Sequence, residues 1–394
     1  MPIYLDHAAT SPMPPEVLGV YVDALSLVGN PASIHSQGQN AKRMLEEARE
    51  QVARSLGADS VEVTFTGGGT EAVNLAIKGL FWARNATTPR PRILVPEGEH
   101  HATVDAVEWM AQHEGAIIDW VPLDSLGRIS LSAMSDKLGD DVALVTALWA
   151  NNEVGTIQPV QEIAALAAAR GVPVHLDAIA AYGYLPIDFH AVKVAALSVS
   201  AHKIGGPVGA GALLIARSAT VVPLLHGGNQ QRARSGTQDA AGAVAFGFAA
   251  SRATADLAGQ AAQLEHVRDR LVSGIRSAVP AAVYRGDPES AGRLPGNAHF
   301  TFPGCEGDSL LFLLDVAGFS VSTGSACQAG VPEASHVLTA MGLSEADARG
   351  ALRFTLGHDT TDAEVDALVA ALPAAVASAS RAGLSDRETT LGRS

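Results

Sequence analysis

The sequence predicts an α/β fold built on an open, mainly parallel sheet. Five short apolar runs each end in a polar or glycine-rich turn, and helical patterns separate them. Only 5% of the 394 residues are aromatic, while glycine and alanine abound, which is the composition of closely packed α/β layers. In such sheets ligands bind beyond the carboxyl ends of the strands. The five turns are therefore expected to face one crevice.

The first run, Val61 to Phe65, leads into Thr66-Gly67-Gly68-Gly69-Thr70 and a helical pattern from Glu71 to Ala83. A glycine turn feeding a helix N-terminus exposes free backbone N–H groups, and the helix dipole favours an anion there. No Gly-Lys-Ser/Thr follows and the spacing is not G-x-G-x-x-G, so neither nucleotide-binding motif applies. Taken alone, an ordinary tight turn explains this segment equally well. The second run, Arg92 to Pro96, precedes Glu99-His100-His101-Ala102. Paired histidines suggest zinc, but the chain has two cysteines, neither at ligand spacing, and no metal is expected. The third run, Val142 to Trp149, ends in Ala150-Asn151-Asn152-Glu153.

The fourth run, Val172 to Leu176, is closed by Asp177. The fifth, Val194 to Val199, is closed by Ser200-Ala201-His202-Lys203 and a glycine-rich turn. Either residue alone reads as a solvated strand end. Together, and with the other three clusters in order, they are what a pyridoxal phosphate site requires. The lysine amine forms a Schiff base with the aldehyde, and the acid pairs with the pyridinium nitrogen so that the ring serves as an electron sink.

Further along, a long helical pattern runs from Ala241 to Val279, with a break expected near Ala258-Gly259. Cys305 adjoins an apolar strand pattern and reads as a packed thiol. Cys327 lies in Ser322-Thr323-Gly324-Ser325-Ala326-Cys327-Gln328-Ala329-Gly330, where small residues describe an accessible loop suited to a nucleophilic thiolate. Arg353, in Ala351-Leu352-Arg353-Phe354, is a strand arginine whose planar guanidinium suits bidentate carboxylate binding.

From Tyr4-Leu5-Asp6-His7-Ala8-Ala9-Thr10 to Phe354-Thr355-Leu356-Gly357, nearly the whole chain resembles the NifS/IscS-type cysteine desulfurases. These lie within the class V aminotransferase-like, fold-type I pyridoxal phosphate enzymes. The resemblance implies a large domain, residues 15–255, with a mainly parallel seven-stranded sheet flanked by helices. It also implies a smaller α+β domain of residues 1–14 and 256–378 that carries the cysteine loop. Residues 379–394, rich in Ser, Arg and Gly, are expected to fray. By the same resemblance Lys203 is the Schiff-base lysine, Asp177 the partner of the ring nitrogen and His100 the stacking residue and acid/base. Asn151 is implied near the ring hydroxyl. Gly69, Thr70, Ser200 and His202 are implied at the phosphate, joined by Thr237 from the neighbouring subunit of a homodimer. Arg353, with Asn30, is implied at the substrate carboxylate, and Cys327 as the nucleophile.

The implied activity is removal of sulfur from L-cysteine, giving L-alanine and a Cys327 persulfide for an acceptor protein in iron–sulfur cluster assembly or another sulfuration pathway. Selenocysteine lyase, or another class V enzyme, is the alternative, and kinetics with the two substrates separate them. A non-catalytic assembly subunit is a third reading. It is disfavoured because every covalent participant is present. The chain departs from the family pattern at Ala180, where glutamine is usual; an unreplaced hydrogen bond there costs about 1.5–3 kcal/mol. Tyr182, Tyr184 and Ala334 are further departures. A net charge of −14 argues against general affinity for nucleic acid or anionic membrane. No uninterrupted apolar run spans a bilayer, no signal peptide is evident, and two cysteines give no disulfide scaffold, so a cytoplasmic setting is expected.

Overall fold

The computed structural model describes residues 2–324 and 334–385. Twelve strands occur along the described chain. They are β1 (Ile3–Tyr4), β2 (Val63–Thr66), β3 (Arg92–Pro96), β4 (Ile117–Val121), β5 (Val142–Leu148), β6 (Val174–Asp177), β7 (Ala196–Ser200), β8 (Gly211–Ile215), β9 (Val283–Arg285), β10 (Asn297–Thr301), β11 (Phe319–Ser320) and β12 (Ala351–Thr355).

Seven of them form one sheet in the order β2-β8-β7-β6-β5-β3-β4. β3 to β7 are mutually parallel, and β8 alone runs against its neighbours β7 and β2. The carboxyl ends of β2, β3, β5, β6 and β7 therefore share one edge, and each of the five apolar runs read from the sequence overlaps one of these strands. Every residue of β5, β6, β7 and β8 is buried, because helices cover both faces of a parallel sheet. Burial of each such Val or Leu side chain is worth about 1.5–3 kcal/mol.

One polar group lies inside this layer. His175 is fully buried and meets the Thr146 hydroxyl of β5 at 2.9 Å and the Ser198 hydroxyl of β7 at 2.7 Å. Burial lowers its pKa to about 3, so a neutral imidazole braces three neighbouring strands two residues before Asp177.

The second sheet is antiparallel, in the order β12-β10-β9. Helices Leu257–Ala278, Gly307–Val316 and Asp362–Ser385 pack around it on Phe300, Phe302, Phe354, Leu271 and Leu368. β1 pairs in parallel with β11, and Asp6 bridges to Thr355, so the N-terminal segment is stitched to this smaller unit.

Two boundaries differ from expectation. The long helical pattern breaks at residues 255–256 rather than near Ala258-Gly259, because the Asp256 side chain accepts the Gly259 N–H and starts a new helix. Fraying does not begin at residue 379: the last helix continues to Ser385, with Ala375 and Ala379 buried on the neighbouring helices. That helix is apolar enough over Asp362–Arg381 to match a membrane span by length and composition. It carries Asp362, Glu364 and Asp366 in its first turns, however, and Asp366 pairs with Arg270.

Candidate active site

The five strand-end clusters line one cavity of about 400 Å³ at the carboxyl edge of the large sheet, closed on its far side by β10, β12 and Ser322-to-Gly324. Its walls include Gly69, Thr70, His100, Asp177, Ser200, His202, Lys203 and Arg353. Two residues expected at this chain's own site, Asn151 and Asn30, are not among the lining residues. Asn151 is buried: its Oδ1 accepts the Glu153 and Val154 N–H groups and one Nδ2 N–H donates to Gly98 O, while its neighbour Asn152 lines the cavity. Asn30 and Thr237 are exposed outside the cavity wall. Cys327 lies outside the described residues.

Asp177 ends β6, and its Oδ1 accepts the Ile179 N–H at 2.9 Å. Burial raises its pKa to about 6, opposed by that hydrogen bond and by Lys203. Lys203 follows β7 in a tight turn, and its Nζ donates to the carbonyls of Ala8 and Ala9. Burial, with the nearby Arg353 charge, lowers its pKa to about 8, against the opposing pull of Asp6 and Asp177. An amine so tuned is unprotonated far more often at neutral pH than a surface lysine.

His100 caps the helix His101–Glu114, its Nδ1 accepting the Ala102 N–H at 3.1 Å. The neutral ring consequently carries its proton on Nε2. Burial and the Lys203 charge lower its pKa to about 4, and similar causes hold His202 at about 4.

At the other wall Arg353 is almost fully buried. Its Nη1 donates to Asn152 O at 2.9 Å and its Nη2 to Asp6 Oδ1 at 2.8 Å, while its Nε has no partner. Asp6 went unnoticed as a site residue in the sequence because its partner lies 347 positions away. Glu99, Glu153 and His336 were also missed. Glu153 accepts the Ser335 hydroxyl at 2.5 Å, and His336 bonds the Glu99 carbonyl at 2.8 Å, so the helix His336–Ala340 is pinned to the cavity rim. Only their adjacency to recognised motifs could have signalled them.

The donor set fits pyridoxal phosphate. Ser200 Oγ is buried without a hydrogen-bond partner beside the N-terminus of helix Gly69–Asn85, where backbone N–H groups await an anion. Asp177 keeps an oxygen for a ring nitrogen. Ala180 does line the cavity and offers no hydrogen bond, while Tyr182 is core, its hydroxyl 2.6 Å from Ser55. A separate group, Asp59, Glu62 and His190, has ligand-like spacing but is engaged in ion pairs with Arg217 and within itself.

Comparison with known proteins agrees with this geometry. Residues 3–368 match the family described as aminotransferase class-V. The chain is 51% identical to an IscS-like cysteine desulfurase of Mycobacterium tuberculosis, over 97% of this chain and 98% of that one. A solved NifS-like protein superposes with a TM-score of 0.89 at 32% identity, covering 96% of this chain and all of the other. A structure described as SspA in complex with cysteine superposes with a TM-score of 0.78 at 30% identity, covering 90% and 98%.

Proposed function

The chain belongs to the aminotransferase class-V family, within its cysteine desulfurases, and on that premise we propose that it uses pyridoxal phosphate to take sulfur from L-cysteine, releasing L-alanine and carrying the sulfur on Cys327. One observation carries the reading of the site: a lysine tuned toward its free amine and a buried aspartate meet in the same cavity as an unpartnered serine hydroxyl at a helix N-terminus.

The cofactor's phosphate would be held by Gly69 and Thr70 at the helix N-terminus with Ser200 and His202. Its ring nitrogen would pair with Asp177, and its carbonyl carbon with Lys203 Nζ. When bound, the group supplies the electron sink that makes the amino acid's Cα acidic. Lys203 Nζ is the base for the Cα proton. His100, neutral at physiological pH, keeps a proton on Nε2 for donation. Arg353, preset by Asp6 and Asn152, holds the substrate carboxylate. The Cys327 thiolate attacks the substrate sulfur. A sulfur–sulfur bond forms as the carbon–sulfur bond breaks, and the electron pair stays with carbon, to be protonated as alanine's methyl group. The persulfide then passes to an acceptor protein. The complete unit is a homodimer in which Thr237 serves the partner's phosphate site.

The test is direct. Protein supplied with pyridoxal phosphate and L-cysteine should release alanine and gain one sulfur atom in its mass. Protein that binds the cofactor yet forms no alanine would overturn the reading.

A further inference from the structure

Glu99 is a buried carboxyl in the cavity wall that the proposed mechanism does not use. It is 1% exposed. Its Oε1 accepts the Leu148 N–H at 2.8 Å, tying the turn after β3 to the last residue of β5, while its Oε2 is buried without a hydrogen-bond partner. Its carbonyl accepts from His336, and the next residue is His100. Four elements thus converge on this residue.

Hydrogen-bonding groups and one carboxyl face Glu99 from four elements. β5 offers the Leu148 N–H, helix His101–Glu114 the buried Thr103 hydroxyl, helix His336–Ala340 an imidazole directed at the Glu99 carbonyl, and β6 the Asp177 carboxyl. Among the described residues no lysine or arginine forms an ion pair with it. The Lys203 charge lowers the pKa of Asp177. Burial raises the Glu99 pKa well above its ordinary value, opposed by the Leu148 N–H and the Thr103 hydroxyl, while Asp177 adds to the rise. When two carboxyls share a low-dielectric site with one cation, the one nearer the cation ionises and the other keeps its proton.

We propose that Glu99 works as an uncharged carboxylic acid, a positioning residue that clips the His100 turn to the end of β5 and leaves Asp177 as the carboxylate for a ring nitrogen. The inference rests on the pyridoxal phosphate reading only for the role of Asp177. The charge state of Glu99 is a property of the chain itself.

Infrared spectroscopy of cofactor-free and cofactor-loaded protein at neutral pH tests it. A protonated-carboxyl carbonyl band is expected in both forms, and Glu99→Gln should remove it. Glu99→Ala should lower the melting temperature by about 3 °C or more by orphaning the Leu148 N–H, and Glu99→Gln should restore it, because a neutral amide replaces a neutral acid. The pH dependence gives a second readout. A folded-state pKa raised above the unfolded value makes stability greatest at low pH and lost as pH rises, and Glu99→Gln should remove that part of the slope. Should Glu99→Gln not fold, Asp177→Asn decides: the acid band persists if it belongs to Glu99. No acid band in the wild type, or its loss in Asp177→Asn, overturns the proposal. Failure to take up pyridoxal phosphate would instead sink the functional reading and leave the infrared result standing.

Discussion

Burial raises the pKa of Asp177 to about 6, above the ~3.9 of an unfolded aspartate, so the folded chain holds that proton more tightly than the unfolded one. Its contribution to stability is therefore greatest below about pH 4 and is lost as pH rises through 6. At neutral pH, without the cofactor's cationic ring, the ionised carboxyl works against the fold by about 3 kcal/mol. Asp177→Asn keeps an oxygen for the Ile179 N–H and removes the charge. The cofactor-free variant should melt higher than wild type at pH 7.5 and equally at pH 4, while losing desulfurase activity. Calorimetry showing the same difference at both pH values would refute this. The cysteines make the complementary case. Cys305 is 4% exposed, with its Sγ 3.1 Å from the Ser380 hydroxyl, a packed thiol away from the cavity. Cys305→Ser should leave alanine release within about twofold, whereas Cys327→Ser should bind cofactor and substrate but release no alanine, because a hydroxyl is scarcely ionised and a poor nucleophile toward sulfur. Mass spectrometry after cysteine treatment, showing added sulfur on wild type and on the Cys305 variant alone, checks the assignment.

At the scale of elements, β8 shapes the end of the cavity proposed for the phosphate without lining it. Gly211 pairs with Thr66, and a methyl group on it would fall 2.7–2.9 Å from the Gly68 backbone. Gly68 itself has φ +137°, which suits only glycine, and its carbonyl starts the helix that faces the phosphate. Gly211→Ala should cost about 1–3 kcal/mol and weaken cofactor binding about tenfold, since the turn must shift to admit it. Gly19→Ala is the control. It meets nothing within 4 Å inside helix Pro15–Leu25 and should stabilise the chain slightly without changing cofactor affinity. The strands around this site were legible because parallel strands buried on both faces are written as uninterrupted apolar runs, and β5, β6 and β7 contain no polar interruption beyond Thr146, His175 and Ser198. Their functional ends were legible because polar residues follow each run at once. What escaped was set by tertiary contact. Asn151 has the right place in sequence, but three backbone hydrogen bonds hold its amide behind the cavity wall. Asp6 and Arg353 meet across the chain's whole length. The helix start at Asp256 depended on one side-chain cap that periodicity does not report.

For the molecule as a whole, a run of exposed apolar side chains near the N-terminus bears on how the chain assembles. Leu18, Val22 and Leu25 form a stripe at helical spacing along Pro15–Leu25, each at least half exposed, and Val28 and Ile34 beyond it are 85% and 91% exposed. A monomer gains nothing from such a face. Asn30, expected at the substrate carboxylate, lies inside this same segment, and Thr237, expected at the neighbouring subunit's phosphate, is also exposed. A two-fold dimer that buries the apolar segment would explain both facts, because each protomer would then lend polar residues to its partner's cavity. The holoenzyme is accordingly expected to sediment as a dimer. Val22→Lys with Ile34→Lys should yield a folded monomer with cofactor affinity lowered about tenfold or more, since two charges on a buried apolar interface outweigh its hydrophobic gain. Mixing adds a sharper readout. In a heterodimer of Lys203→Ala and Thr237→Ala subunits, one cavity carries both defects and the other carries neither. Subunit exchange should thus restore one competent site per heterodimer, and a fully exchanged equimolar mixture, half of it heterodimer, should gain about a quarter of the wild-type turnover. A fully active monomer, or a mixture no more active than its parents, would show that Thr237 serves only its own chain.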